Sequence, residues 1–102
     1  GDNVKIQNGV SIFDGVKIGS NVFVGPHTCF TNDLYPRINS EWSIVDTLVE
    51  DYVSIGANCT IVCGIIIKYN SIIGAGSVLT KDTRPNFLYL GNPAKPIRKI
   101  DF

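Results

Sequence analysis

Residues 30 to 37 read FTNDLYPR, which brings an amide, a carboxylate, a phenol and a guanidinium close together as Asn32, Asp33, Tyr35 and Arg37. An aromatic face can stack on a base or sugar and a guanidinium can pair with pyrophosphate. Tyr35, Arg37 and the nearby Trp42 are therefore candidates for gripping a nucleotide-linked ligand, although an aromatic loop could equally pack against a neighbouring subunit. His27 is the only histidine, and three roles are open to it: a peripheral one, a substrate contact or a general base. Lys81, Lys95 and Arg98 carry charges suited to phosphates or simply solvated at the surface. Cys29, Cys59 and Cys63 are odd in number and lack CxxC spacing, so free thiols are expected and no metal site.

Composition narrows the partner. The 102 residues suffice for one small domain. Nine basic and nine acidic residues cancel, and neither sign is clustered, which argues against nucleic acid and against a charged membrane surface. No apolar run approaches the ~20 residues of a membrane span, and no signal peptide is visible. A small molecule or another subunit is the expected partner, and the cytoplasm the expected compartment. The chain has no methionine and Gly1 falls partway through a repeat, so it reads as a fragment lacking upstream residues.

The elements that must position these groups announce themselves by a period of six. Ile6, Ile12, Ile18, Val24 and Phe30 recur at that spacing, with Val4, Val10, Val16, Val22 and Thr28 two residues ahead. After an interruption the pattern resumes as Val49, Ile55, Ile61, Ile67, Ile73 and Leu79, preceded by Val53, Cys59, Ile65, Ser71 and Ser77. Apolar residues at i−2 and i fit one face of a short strand, and the other residues make a turn. Gly19, Gly25, Gly56 and Gly74 each follow an inward aliphatic residue, where a positive-φ corner is expected. Such units cannot bury their apolar faces alone and must stack. Phe30 and Val49 are one residue more than three repeats apart, so the segment over 31–47 is expected to leave the stack as a long loop.

The pattern over roughly residues 2 to 82 resembles the hexapeptide-repeat, left-handed parallel β-helix family, an all-β triangular prism. The resemblance implies three hexads per coil and a homotrimer. It implies a repeat domain over 1–82 and a short C-terminal tail over 83–102. Positions one such coil apart should then stack at ~4.8 Å. The segments GAN and GAG at 56–58 and 74–76 would stack in this way, as would Asp14 and Asn32. Within this family, QNGVSIFDGV, VFVGPHTCFTNDLYPR, SIGANCTIVCG, IIGAGSVLTKD and GNPAK are similar to segments of bacterial N-acetyltransferases that act on nucleotide-linked 3-amino sugars.

That resemblance assigns roles. Asp14 and Asn32 would orient the sugar amine, with Asp33 also lining the sugar pocket; Tyr35, Arg37 and His27 remain substrate-contact candidates on their residue types alone. Acetyl-CoA would lie between adjacent prisms, along the backbone at Ala57 and Ala75, with Thr80 and Lys81 on the last corner and Lys95 and Arg98 in the tail. Sugar O-acetyltransferases of this fold carry a histidine base in a YTAxHP stretch, where this chain has Leu34 or Tyr35. Neither is a base near neutral pH, since tyrosine ionises near pH ~10. The loss makes sense for an amine, which attacks a thioester unaided, whereas a hydroxyl needs its proton taken. The expected activity is acetyl transfer from acetyl-CoA to a dTDP- or UDP-linked 3-amino sugar for cell-surface polysaccharide. O-acetylation, and a non-catalytic β-helix module, are the alternatives.

Overall fold

The computed structural model describes residues 1–31 and 46–100. Asn32, Asp33, Tyr35, Arg37 and Trp42 lie outside the described residues. Twelve strands are present among those described: β1 (Lys5–Ile6), β2 (Val16–Ile18), β3 (Phe23–Val24), β4 (Cys29–Phe30), β5 (Thr47–Val49), β6 (Ser54–Ile55), β7 (Thr60–Ile61), β8 (Ile66–Ile67), β9 (Ile72–Ile73), β10 (Val78–Leu79), β11 (Phe87–Gly91) and β12 (Ala94–Lys99).

They form three walls. The first runs β1-β3-β6-β9-β11-β12, the second β4-β7-β10 and the third β2-β5-β8. Every pairing is parallel except β11 with β12. Lys5 pairs with Phe23, Ser54 with Ile72 and Thr60 with Val78, in each case three hexads further along the chain. This is the triangular coil that the resemblance implies.

The inward positions are those the period marks. Val24, Phe30, Val49, Ile55, Ile61, Ile67, Ile73 and Leu79 are buried, as are Val22, Val53, Cys59 and Ile65 in the second set. Thr28, Ser71 and Ser77 are buried too, and their hydroxyls are satisfied locally: Thr28 Oγ1 donates to the Gly56 carbonyl at 2.8 Å and Ser77 Oγ accepts from the Gly91 amide at 3.1 Å. Small hydroxyls at i−2 thus tie one coil to the next without a buried polar cost. The core thins at one end: Ile6 is 45% and Ile12 37% exposed, because the first coil has described neighbours on one side only.

Three expectations change. Gly19, Gly25, Gly56 and Gly74 are not at positive φ. That conformation falls two positions further along each corner, at Gly9, Gly15, Asn21, His27, Tyr52, Asn58, Gly64, Asn70 and Gly76, and at Asn3 in the same phase. The glycines serve close approach instead. A Cβ on Gly56 would lie 2.7 Å from the Ala75 amide nitrogen and one on Gly25 2.6 Å from that of Ala57.

The long loop also counts differently. Across it Val16 pairs with Thr47, Phe23 with Ser54 and Cys29 with Thr60, and each step exceeds an ordinary coil by a little over two hexads. Phe30 and Val49 therefore stand on successive walls, not a coil apart. Finally, the segment after Asp82, expected to trail as a tail, continues the prism. Leu88 and Tyr89 pair with Ile72 and Ile73, a return slightly shorter than the three hexads of the coils below, and β12 folds antiparallel onto β11. Tyr89 is buried over the last coil, and its hydroxyl accepts from the Arg84 amide at 2.8 Å.

Candidate active site

The turns between walls stack into columns of corners, and the columns sort the candidate residues. One column follows the first wall and contains Asn8, Pro26, Ala57 and Ala75 in successive layers, with Gly9, His27, Asn58 and Gly76 beside them. The layers are joined by backbone bonds from the His27 amide to the Asn8 carbonyl (2.9 Å), Asn58 to Pro26 (2.9 Å) and Gly76 to Ala57 (2.8 Å). Ala57 and Ala75 are therefore stacked neighbours, and the GAN and GAG corners lie one above the other. The side chains at these two corners are small, two glycines at 74 and 76, one at 56, two alanines and one asparagine.

His27 belongs to the same column. Its backbone takes the left-handed conformation, φ 62°, that glycine or asparagine supplies at most equivalent corners. Its exposed ring lies against Gly9, where a Cβ would collide with the imidazole. Sequence reasoning missed this backbone role, although the Asn, Gly, Gly, Asn series at 3, 9, 15 and 21 carried the signal.

The second column follows the second wall. It holds Phe13, Asp14 and Gly15 in the first coil, Val62, Cys63 and Gly64 two layers on, and Thr80, Lys81 and Asp82 in the last. Asn32, expected to stack with Asp14, is outside the described residues. Asp14 and Lys81 share this column at a separation of three layers, about 14 Å at the usual strand spacing. Both are exposed. Within one chain His27 and Asp14 thus lie on different corners of the prism.

A cleft of about 350 Å³ opens between the last corner and the hairpin, lined by Thr80, Lys81, Asp82, Thr83, Arg84, Tyr89, Pro93, Ala94, Lys95 and Pro96. It brings together three candidate residues, Thr80 and Lys81 from the last corner and Lys95 from β12. Ala57 and Ala75 do not line it. Neither does Arg98, which is exposed on β12 opposite Leu88 with its guanidinium 3.5 Å from the Lys99 carbonyl.

Arg84, which sequence reasoning passed over, adds a third cation to the lining. The acid at the lip is already engaged, since Asp82 Oδ1 accepts from the Ile66 amide at 2.8 Å. The wall behind is fixed by buried hydroxyls. Thr83 Oγ1 accepts from the Lys68 amide at 2.8 Å and lies 3.0 Å from Ser71 Oγ, which donates to the Arg84 carbonyl at 2.9 Å. A cleft that counts Lys81, Arg84 and Lys95 among its lining residues can hold a phosphate-bearing ligand.

Among the described residues no cluster of three metal-ligating side chains occurs. The three cysteines are free. Burial raises the Cys59 thiol above its ordinary pKa of 9.0, against the opposing effect of nearby hydrogen bonds, so it is an inert core group. Among the described residues no helix is long and apolar enough to cross a membrane.

Residues 47–81 match the family model described as the hexapeptide repeat of succinyl-transferase. The chain is 38% identical over 91 residues to a putative acetyltransferase of Schizosaccharomyces pombe, covering 84% of this chain and 44% of that protein. The structure is similar to a maltose O-acetyltransferase from Clostridium difficile 630, with TM-score 0.88 and 32% identity over 99% of this chain and 58% of the other. It is also similar to a galactoside acetyltransferase in complex with coenzyme A, with TM-score 0.83 and 33% identity over 97% of this chain and 56% of the other. Fold and similarities place the chain among the hexapeptide-repeat acetyltransferases, with their left-handed parallel β-helix. It spans about half the length of the curated relatives it matches.

Proposed function

We propose that this chain is the β-helical part of an acetyl-CoA-dependent acetyltransferase acting on a sugar. The observation that carries this reading is the cationic cleft of Lys81, Arg84 and Lys95, which lies beside the corner of Thr80 and suits the phosphates of a coenzyme. The stacked Ala57 and Ala75 corner offers a smooth backbone track for an extended pantetheine chain. Adjacent copies in a homotrimer would close the groove between such columns, and a column from one copy could face a different column of the next.

The acceptor we favour is the amino group of a dTDP- or UDP-linked 3-amino sugar, destined for cell-surface polysaccharide. Asp14 and Asn32 would aim the amine, and Asp33, Tyr35 and Arg37 would hold the sugar nucleotide. The neutral amine attacks the acetyl carbonyl carbon, the carbon–sulfur bond breaks, and the proton lost from nitrogen ends on the departing thiolate. Orientation supplies the acceleration.

O-acetylation is the second reading. It is favoured by the 32% identity to a maltose O-acetyltransferase and by the exposed His27 ring on the Ala57 column, from which it could serve a neighbouring copy. A thiol-release assay with matched amino and hydroxy sugar nucleotides separates the two. Release with the amino sugar alone is expected; release with the hydroxy sugar alone would overturn the amine reading.

A further inference from the structure

The third edge of the prism, where the third wall turns back into the first, carries none of the candidate site residues. Its corners are stacked by backbone bonds, the amides of Asn21, Tyr52, Asn70 and Asn86 donating to the carbonyls of Asp2, Ser20, Asp51 and Tyr69. Asn3, Asn21, Tyr52, Asn70 and Asn86 all take the left-handed conformation there, with φ from 57° to 62°. Asparagine tolerates it. The asparagines also tie to one another, Asn3 Nδ2 donating to Asn21 Oδ1 at 3.3 Å and Asn70 Nδ2 to Asn86 Oδ1 at 2.9 Å. Tyr52 interrupts that ladder. A bulky side chain is an outlier in this conformation, and Tyr52 is 52% exposed, so the core gains little from it.

What the ring touches is Tyr69 in the next layer, edge to face, with 5.8 Å between centroids and 69° between planes. Tyr69 is 47% exposed and lines a cleft of about 320 Å³ with Gly19, Leu48, Val49, Glu50 and Asp51. Both carboxylates are aimed by the backbone: Glu50 Oε1 accepts from the Tyr69 amide and Asp51 Oδ1 from the Ser20 amide, each at 2.8 Å. The second oxygen of each can accept from a ligand. A Cβ on Gly19 would collide with Asp51 Oδ1, so the glycine makes room for that carboxylate. Fixed acceptors beside an exposed ring suit a pyranose, whose C–H face lies on the tyrosine while its hydroxyls donate to the carboxylates. An ammonium ligand would want the two rings apart, on either side of it, yet they already meet. An apolar side chain would strip water from two carboxylates without replacing it. We infer that this cleft is a binding site for a neutral pyranose, with Tyr69 as its platform and Tyr52 bracing that platform. Neither Asp14 nor Lys81 lies on this edge, so the site stands apart from acetyl transfer and does not depend on it.

The test is saturation-transfer difference NMR with maltose, methyl β-galactopyranoside and choline, each titrated against wild type, Tyr69→Ala and Tyr52→Asn. Wild type should transfer saturation to the ring C–H protons of at least one sugar and not to choline, with acetyl-CoA present or absent. Tyr69→Ala should weaken that sugar about tenfold or more. Tyr52→Asn should weaken it several-fold and raise the thermal midpoint, because asparagine relieves the corner and rejoins the ladder. Both residues are exposed, so both variants are expected to fold, as their unfolding curves would verify. Unchanged sugar affinity in Tyr69→Ala, no sugar signal in wild type, or a choline signal in its place would each overturn the inference. So would a lower midpoint in Tyr52→Asn, since the tyrosine would then be serving stability.

Discussion

The two corner columns of the prism are made in opposite ways. The column of Ala57 and Ala75 is built by backbone, since Gly25 and Gly56 have no room for a Cβ beneath the next layer and the corners are joined amide to carbonyl. In the column of Asp14, Cys63 and Lys81 side-chain hydroxyls make ties, Thr31 Oγ1 accepting from the Cys63 amide at 3.0 Å and Thr47 Oγ1 from the Gly64 amide at 3.1 Å. In the proposed site the first column would give the groove its smoothness and the second its chemistry, so substitutions in the two should fail differently.

The largest effect is expected in the second column. Asp14→Ala should lower kcat about 10²-fold with the thermal midpoint unchanged, because misaiming a nucleophile by about 1 Å costs that much. Steady-state rates beside an unfolding curve check it; equal loss of stability would merge the two columns. Next, Lys81→Ala with Lys95→Ala should raise the KM for acetyl-CoA about tenfold or more, since a charged hydrogen bond contributes about 1.5 to 3 kcal/mol. An unchanged KM would place the coenzyme elsewhere.

In the first column the loss should be structural. Gly56→Ala sets a methyl against the backbone of Ala75 and should cost about 1 to 3 kcal/mol in denaturant unfolding. Gly76→Ala is the contrast: its Cβ would meet nothing within 4 Å, so only the strain of φ 75° remains, about 1 to 2 kcal/mol. If Gly76→Ala proved the more damaging, close approach would not be what holds this column.

The smallest effect is one of pH. The Cys59 thiol is raised by burial, so the unfolded chain loses that proton first as pH climbs. Its contribution to stability is complete below pH 9.0 and is lost as pH rises through the folded-state value. Cys59→Ala should flatten the alkaline limb of a stability-versus-pH curve, whatever it costs at neutral pH.

The walls were legible because burial repeats with a period of six, so Ile55, Ile61, Ile67 and Ile73 declare their direction without a structure. The corners were not. Glycine at a turn suggests positive φ, yet Gly25 and Gly56 answer to Ala57 and Ala75 in the next coil, a separation along the chain that no local pattern reports. The excursion was seen but miscounted, since spacing alone cannot distinguish a whole coil from one wall plus an insertion. The hairpin was hidden by the shortened return from Ile73 to Tyr89, and by a tyrosine standing where an aliphatic residue was the rule. With it went Arg84, whose place in the cleft depends on that return.

The central claim is that an amine, positioned from the Asp14 corner, attacks without help from His27. It is tested most directly by kcat/KM against pH, with one 3-amino-sugar nucleotide, for wild type and His27→Asn. Asparagine tolerates the left-handed backbone that His27 adopts, so the corner should survive. The account predicts that both profiles follow the ionisation of the substrate amine and differ little in height. A fall of about 10²-fold or more in His27→Asn, with acetyl-CoA affinity intact, would contradict it and mark His27 as a general base.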